Sequence, residues 1–349
     1  MDHRALIAEA VSLTSGTHPH PNPRVGALVL DRSGAVVGRG AHHRRGEPHA
    51  EVLALREAGE RAAGGAIVVT LEPCGHEGAT PPCTSAILGA GIARVIVGAV
   101  DPDPRVSGTG LEQLRQAGLD VIAGVDESIV ESADPGYFHH RRTGRPRVTL
   151  KWASTIDGQV AAADGSSQWI TSEEGRRDAH RVRAEADAIM VGAGTLLADD
   201  PLLTVRHPGA EDRVPLPVVV AGRRDLPRTA HLWERDALVI GSRRQDVPVE
   251  VVVLPGEGGV DLGAALDELG RRQVVDLLVE GGPTLVGSLL RAGLADRGIV
   301  YVGGRLAGGT GLPAVAGTFP TISAARRVAI QSADRVGPDL RLEFAVGGS

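Results

Sequence analysis

The 349-residue chain carries 37 basic and 43 acidic side chains, a formal net charge of −6 and 42% hydrophobic residues, at a mean hydropathy near zero. That length exceeds one ordinary core and fits two domains, while the acidic balance argues against a nucleic-acid surface. No apolar run approaches the roughly 18 residues of a membrane helix, and Met1-Asp2-His3-Arg4 lacks the charged start and apolar core of a signal peptide, so the expected setting is the cytoplasm, away from membranes.

Helical spacing of Leu6, Ala10, Val11 and Leu13 predicts a first helix from Arg4 to Leu13, followed by a Pro/Gly/His loop over Ser15 to Pro23. Val25 to Leu30 and Ala35 to Gly40 read as a hairpin turning at Asp31 to Gly34. After His49 comes a helix of about three turns, ended by Gly64-Gly65. Ile67 to Leu71 is a buried strand, and a second helix is expected from near Cys83 to Gly89. Strands at Val95 to Val100 and Leu119 to Ala123 flank a helix around Leu111 to Gln116, an alternation that predicts a parallel or mixed sheet between helices.

This first half holds the most informative stretch. His49-Ala50-Glu51 is followed by Glu72-Pro73-Cys74 and, nine residues after Cys74, by Cys83. One imidazole, two thiols and a carboxylate that is not a ligand are what a hydrolytic zinc site needs: three ligands, an open position for water, and a base. The zinc-deaminase signature has the same order with a shorter cysteine spacing. His49 and Glu51, two apart, converge only if His49 sits at the helix entrance. Two other readings use the same residues: a Cys74–Cys83 disulfide, and a closed structural site with His76 as fourth ligand. The first lacks an oxidising context, and the second leaves Glu51 without a purpose.

A short helix leads from Asp126 to Tyr137, and His139 to Pro146 reads as a non-periodic, basic junction. Beyond it the chain restarts, with strands at Val148 to Ala153, Ala188 to Val191, Pro217 to Val220, Ala237 to Ile240 and Val249 to Val253, and a helix over Ser172 to Ala184 capped by Ser172 or Thr171. Strand Val274 to Val279, turn Glu280-Gly281-Gly282-Pro283 and helix Thr284 to Arg291 form a unit whose backbone N–H groups can cradle a pyrophosphate. Lys151 is the single lysine among the 37 basic residues, so the abundance of arginine reads as a coding bias rather than a binding patch.

The string HAE followed by PCxHxGxTPPC resembles the deaminase half of the bifunctional riboflavin-biosynthesis deaminase–reductases. Lys151 to Gly158, Gln168 to Ser172, Val191 to Thr195, Ala198 to Pro201 and Val279 to Pro283 are similar, in the same order, to the reductase half of that family. The resemblance implies an α/β fold class, with a cytidine-deaminase-like α/β/α domain over residues 1–143 and a dihydrofolate-reductase-like α/β domain over residues 144–349. It implies zinc (Zn2+) held by His49, Cys74 and Cys83, with Glu51 moving the proton of the attacking water to the leaving amine. It further implies NADPH contacts from Ala153, Trp169, Thr195, Asp199 and Gly222, and from Gly282, Pro283, Thr284, Leu285, Val286, Gly287 and Ser288.

Substrate contacts are implied for Asn22, His42 and His76 in the first half and for Ser167, Arg183, Leu203, Arg206 and Glu280 in the second. The ligand class is a phosphoribosylated pyrimidine, deaminated on its ring and then reduced from ribosyl to ribityl, with hydride reaching the sugar carbon and a proton, from near Lys151, its oxygen. Association into a homodimer or homotetramer through the reductase half is also implied. The chain departs from the family strings at Ala79, where Lys or Arg is usual, and at Asp103, where Asn is usual. Both changes act against an anionic ligand, with Arg44, Arg45 and Arg105 as compensating candidates. A zinc-stabilised interaction protein leaves Glu51 unexplained, a deaminase with a passive second half leaves Lys151, Asp199 and Glu280 unexplained, and a nucleic-acid editor does not suit a chain with 2% aromatic residues.

Overall fold

The computed structural model describes residues 2–76, 81–104, 106–317 and 319–347. The chain divides into two units, Met1–Gly144 and Arg145–Ser349.

In the first unit α1 (His3–Ser12), β1 (Gly26–Leu30), β2 (Val36–Ala41), α2 (Ala50–Ala58), β3 (Ala66–Leu71), α3 (Cys83–Gly89), β4 (Arg94–Ala99), α4 (Thr109–Gln116), β5 (Asp120–Ile122), α5 (Glu127–Ala133) and α6 (Pro135–Thr143) follow in order. The strands form one mixed sheet, β2-β1-β3-β4-β5, in which β1 runs antiparallel to β2 and β3 while β3, β4 and β5 are parallel. β1 and β3 are buried at every residue, as strands covered on both faces must be. Two glycines set how closely α2 lies on this sheet. A Cβ on Gly38 would fall 2.1 Å from the Ala54 carbonyl oxygen, and one on Gly40 would fall 2.2 Å from that of Ala50. Backbone therefore rests on backbone, and the first turn of α2 is held against the sheet.

The junction differs from its reading as irregular chain. Residues 135–143 are helical, because Asp134 caps the start by accepting from the Tyr137 N–H, Pro135 occupies the first turn, and Tyr137, Phe138 and His140 are buried. The helix stops at Gly144, whose φ of +75° suits glycine.

In the second unit the order is β6 (Arg147–Thr155), β7 (Gln159–Ala161), α7 (Glu173–Glu185), β8 (Ala188–Gly192), α8 (Ala193–Asp199), β9 (Leu216–Gly222), β10 (Leu238–Gly241), β11 (Glu250–Val253), β12 (Pro255–Gly256), β13 (Gly259–Val260), α9 (Leu262–Arg271), β14 (Asp276–Val279), α10 (Pro283–Ala292), β15 (Arg297–Gly303), β16 (Leu312–Pro313), β17 (Val328–Val336) and β18 (Asp339–Val346). The main sheet has nine strands ordered β11-β10-β9-β8-β14-β6-β15-β18-β17, parallel from β11 to β15 and antiparallel through the β18–β17 hairpin. One core packs α9 and α10 against one face through Leu266, Leu269, Val286 and Leu289, and a second gathers Val182, Leu196, Val219 and Tyr301. The carboxyl ends of β14, β8 and β9 open together, the place where parallel sheets with crossover helices bind ligands.

Candidate active sites

His49 is the N-cap of α2, with extended backbone and no capping bond from its side chain, so its ring is free to turn away from the helix. Glu51 falls in the first turn and is 3% exposed. Cys83 is the first residue of α3, and its backbone N–H points at Cys74 Sγ, 3.4 Å away. His49 Nδ1 lies 3.2 Å from Cys83 Sγ and 3.7 Å from Cys74 Sγ. Tetrahedral zinc with bonds of about 2.0 Å to nitrogen and 2.3 Å to sulfur sets its ligands roughly 3.5–3.8 Å apart, so the donor set fits that ion. Both cysteines are free thiols, and among the described residues His76 is not part of the donor cluster.

The electrostatics of this group are those of a proton shared among packed donors. The Cys83 thiol, acting on Cys74, pulls Cys74 down, while the same contact and burial push Cys83 up. Burial raises Glu51, which puts it in the condition of a base that can both take and release a proton.

Glu72, two residues before Cys74, was not singled out by its sequence pattern. It is 5% exposed, and its carboxylate accepts from the Gly108 and Gly110 N–H groups at 2.9 Å each. A Cβ on Gly110 would sit 1.9 Å from the Pro73 carbonyl oxygen, so the start of α4 is locked against the segment that carries Cys74.

Of the substrate residues expected here, Asn22 and His42 are in contact, Nδ2 to Nε2 at 3.2 Å, and the His42 ring meets the His49 ring edge-on at 5.0 Å. With its other nitrogen facing the Pro48 carbonyl at 3.3 Å, His42 is the Nδ1–H tautomer, and burial holds its pKa down. His76 is exposed. Ala79 and Arg105 lie outside the described residues, and Arg44 and Arg45 are exposed. Asp103 is 5% exposed and lies 3.8 Å from the Arg141 guanidinium, which stacks over Tyr137 and donates to the Pro21 carbonyl at 2.7 Å. The charge added at Asp103 therefore has a cation beside it.

In the second unit a cavity of about 1060 Å³ opens at the carboxyl ends of the central strands. Lys151, Ala153, Ser167, Thr195, Asp199, Gly222 and Glu280 line it, together with Gly282, Pro283, Thr284, Leu285, Val286 and Ser288. Lys151 and Ala153 share a face of β6 because strand side chains alternate. Gly281 and Gly282 have φ of +133° and +23°, and the Gly282 N–H donates to Thr195 Oγ1 at 2.9 Å. The volume suits an extended cofactor and the Gly-Gly-Pro helix start suits its phosphates, so the residues present fit NADPH.

Trp169 and Gly287 are placed differently. Trp169 is 59% exposed, with the Arg176 guanidinium 4.3 Å over its ring. Gly287 faces the segment after β16, where a Cβ would fall 1.9 Å from the Ala316 carbonyl oxygen.

Glu280 organises the floor of the cavity. Its carboxylate takes a bidentate pair from Arg183, both distances 2.6 Å, and lies 3.7 Å from Lys151 Nζ. Burial opposes ionisation of Glu280, but Lys151 and Arg183 outweigh it and hold its pKa down to about 2. Burial lowers Lys151, with Glu280 acting in the opposite sense. Leu203 is a buried core residue with a φ of +48°, and Arg183 reaches past it to donate to the Thr204 carbonyl at 3.0 Å. Arg206 is exposed and wraps His180, with its backbone N–H 3.2 Å from Nδ1 and its Nη2 3.1 Å from Nε2. His180 carried no signal in the sequence. Burial first, then Arg183 and Arg206, push it down to about 4, so it is a neutral ring among cations.

The family model described as "Cytidine and deoxycytidylate deaminase zinc-binding region" matches residues 1–99, and the one described as "RibD C-terminal domain" matches residues 146–342. The chain is 44% identical over 328 residues to "Riboflavin biosynthesis protein RibD" of Mycobacterium tuberculosis, covering 93% of this chain and 91% of the relative. It is 40% identical over 345 residues to the protein of the same name from Escherichia coli, covering 93% and 94%. Among solved structures it is similar to Acinetobacter baumannii RibD, with a TM-score of 0.91 at 34% identity and 99% of each chain covered. A Thermotoga maritima protein titled diaminohydroxyphosphoribosylaminopyrimidine deaminase/5-amino-6-(5-phosphoribosylamino)uracil reductase has a TM-score of 0.88 at 32% identity, again over 99% of each chain.

Proposed function

The chain belongs to the RibD family of bifunctional riboflavin-biosynthesis deaminase–reductases, and on that premise we propose which of its side chains carry each step. The substrate of the first step is 2,5-diamino-6-(5-phosphoribosylamino)pyrimidin-4-one, and that of the second is 5-amino-6-(5-phosphoribosylamino)uracil. Zinc supplies Lewis acidity to acidify the attacking water, and NADPH supplies hydride.

Water replaces the ring amino group, which leaves as ammonia. Glu51 takes the water proton and returns it to the amine, while Asn22 and His42 orient the pyrimidine. In the second unit the bond from the sugar C1′ to its ring oxygen breaks, hydride ends on C1′, and a proton ends on the oxygen. Lys151, held by Glu280, supplies that proton; Arg206, and Arg183 with its fork on Glu280, place positive charge towards the ribose phosphate.

The observation that carries the reading is the meeting of His49, Cys74 and Cys83 within 4.8 Å around a buried Glu51. The Glu280 cluster in a separate cavity complements it. Two exposed hydrophobics on edge strand β17, Val328 at 45% and Ile330 at 70%, support a homodimer or homotetramer built on the second unit. Two free cysteines suit a reducing, cytoplasmic compartment.

The test separates the two activities. Glu51→Gln keeps the shape but cannot accept a proton, so ammonia release falls by about 10²- to 10⁴-fold while zinc content and NADPH oxidation persist. Lys151→Arg keeps the charge and changes donor geometry, slowing NADPH oxidation and leaving ammonia release intact. Near wild-type deamination by Glu51→Gln, or unchanged reduction by Lys151→Arg, removes the corresponding assignment.

A further inference from the structure

α8 ends at Asp199, and the chain passes through an irregular segment, residues 200–215, before β9 begins at Leu216. The first part of this segment carries Leu203 and Arg206, both expected at the substrate of the reduction. Asp200 and Leu203 have φ of +39° and +48°. Side chains other than glycine seldom adopt that region, so such a shape persists only where surrounding contacts impose it.

Those contacts come from side chains. The carbonyls of Leu202, Leu203 and Thr204, three in succession, all accept from guanidinium groups. Arg235 Nη1 donates to Leu202 at 2.7 Å and to Leu203 at 3.1 Å, and Arg183 Nη1 donates to Thr204 at 3.0 Å. Arg235 Nη2 donates to the Pro215 carbonyl at 3.0 Å, at the far end of the segment. One planar fork thus joins the entry of the segment to its exit.

Arg235 works from a fixed base. It follows a 3₁₀ turn, His231–Glu234, whose Leu232 is fully buried in the same core as Leu203. The His231 N–H donates to Asp200 Oδ1 at 2.9 Å, and His231 Nδ1 lies 2.7 Å from Asp200 Oδ2, so turn and segment meet at a second point. Among the described residues no carboxylate lies within ion-pair distance of the Arg235 guanidinium, and burial first, then Arg183, lower its pKa. Attraction to a carboxylate does not account for its place, whereas three carbonyls do. Arg206 stands only two residues beyond the last carbonyl of the series, so a change in the path of residues 202–204 moves its guanidinium.

We propose that Arg235 is a positioning residue for the reduction: it brackets the two ends of segment 200–215 and so sets where Arg206 meets the phosphorylated substrate. The proposal rests on the placing of Arg206 towards the ribose phosphate.

The experiment measures reduction of already deaminated substrate by the full chain and by Arg235→Gln, Arg235→Lys, Arg206→Ala and the Arg235→Gln/Arg206→Ala double variant. Melting curves and ammonia release on the same samples check folding. Lysine keeps the charge but has no fork to span both ends of the segment. Both Arg235 variants should therefore raise the Michaelis constant for the substrate about 5- to 20-fold, with turnover and the dissociation constant of NADPH within threefold. In the Arg206→Ala background, Arg235→Gln should add less than twofold. Hydrogen exchange over residues 202–206 should quicken in Arg235→Gln. A wild-type constant in Arg235→Lys overturns the proposal, because charge alone then suffices. Lower turnover at an unchanged constant overturns it too, as do additive losses in the double variant or unchanged exchange over residues 202–206. A raised constant for Arg206→Ala with none for either Arg235 variant rejects the bracket alone, whereas no change for Arg206→Ala rejects the placing of Arg206 on which the bracket rests.

Discussion

Around His49, three electron-pair donors converge that repel one another once the thiols ionise, whereas around Glu280 a carboxylate converges with two cations that attract it. The first arrangement is held together by what binds it. The second is neutralised from within, to a net charge of +1 for Lys151, Arg183 and Glu280, and stands ready before any ligand arrives. The contrast also appears along the chain. Of the first site's donors, His49 and Cys83 lie at two helix starts and Cys74 on the segment after β3, while those of the second site come from β6, α7 and the end of β14. A site that depends on its ion should therefore respond to metal removal, and a site built from its own charges should respond to pH and to the loss of one partner.

The largest effect expected is from removing the metal. Dialysis against a strong chelator should abolish ammonia release and lower the melting temperature, since an ion that binds only the folded state adds about 4 kcal/mol at a thousandfold excess over its dissociation constant. NADPH oxidation with already deaminated substrate should stay within twofold, and added zinc should restore deamination. Equal loss of both activities under chelation breaks the contrast.

Next in size is the removal of the charge at Glu280. Glu280→Gln leaves Lys151 and Arg183 buried without their counter-charge, a change that typically costs about 3–5 kcal/mol. The folded-state pKa of Glu280 is down to about 2, below its ordinary value of 4.5, so the stabilisation it contributes is complete above pH 4.5 and is lost as pH falls towards 2. Urea unfolding of the two proteins should differ most at pH 6 and converge below pH 4.5. A gap that is constant with pH assigns the cost to packing rather than to charge.

The same contrast decides how much could be read in advance. HAE and the two cysteines were legible because the chemistry fixes both residue type and order, and the helix-entrance position of His49 followed from the angle between residues two apart. The helix Pro135–Thr143 was not legible, because its basic residues Arg141 and Arg142 hid the buried Tyr137 and Phe138. Glu72 passed as part of a motif although its work is to bind backbone N–H groups 36 and 38 residues away. The β17–β18 hairpin gave no alternation to read, since β17 is exposed along most of its length. In the second unit Lys151 stood out as the only lysine, but its partner Glu280 lies 129 residues on, and only a family resemblance joined them. Arg183 and Arg206 were named by the family resemblance alone, because a charge count among so many arginines does not show that one grips Glu280 and the other His180.

The smallest effect expected, and the finest test of a site built from its own charges, concerns His180. A neutral imidazole has one acceptor nitrogen, so of its two contacts to Arg206, to the backbone N–H and to the guanidinium, only one is a hydrogen bond at a time. His180→Ala should leave Arg206 less well aimed and raise the Michaelis constant for the phosphorylated substrate of reduction about 5- to 10-fold, the worth of one hydrogen bond, with turnover within twofold. His180→Asn offers an acceptor near Nδ1 and His180→Gln one near Nε2, so whichever variant recovers the constant identifies the contact that matters. The effect should vanish in an Arg206→Ala background, because both changes remove the same interaction. Since burial, and then its cationic neighbours, hold His180 down to about 4, below its ordinary 6.5, the ring stays neutral in the folded chain well below pH 6.5, and the His180-dependent part of the constant should be flat from pH 8 to about 5. Additive losses in the double variant, or a His180-dependent inflection near pH 6.5, show that the ring acts on the substrate by some route other than Arg206.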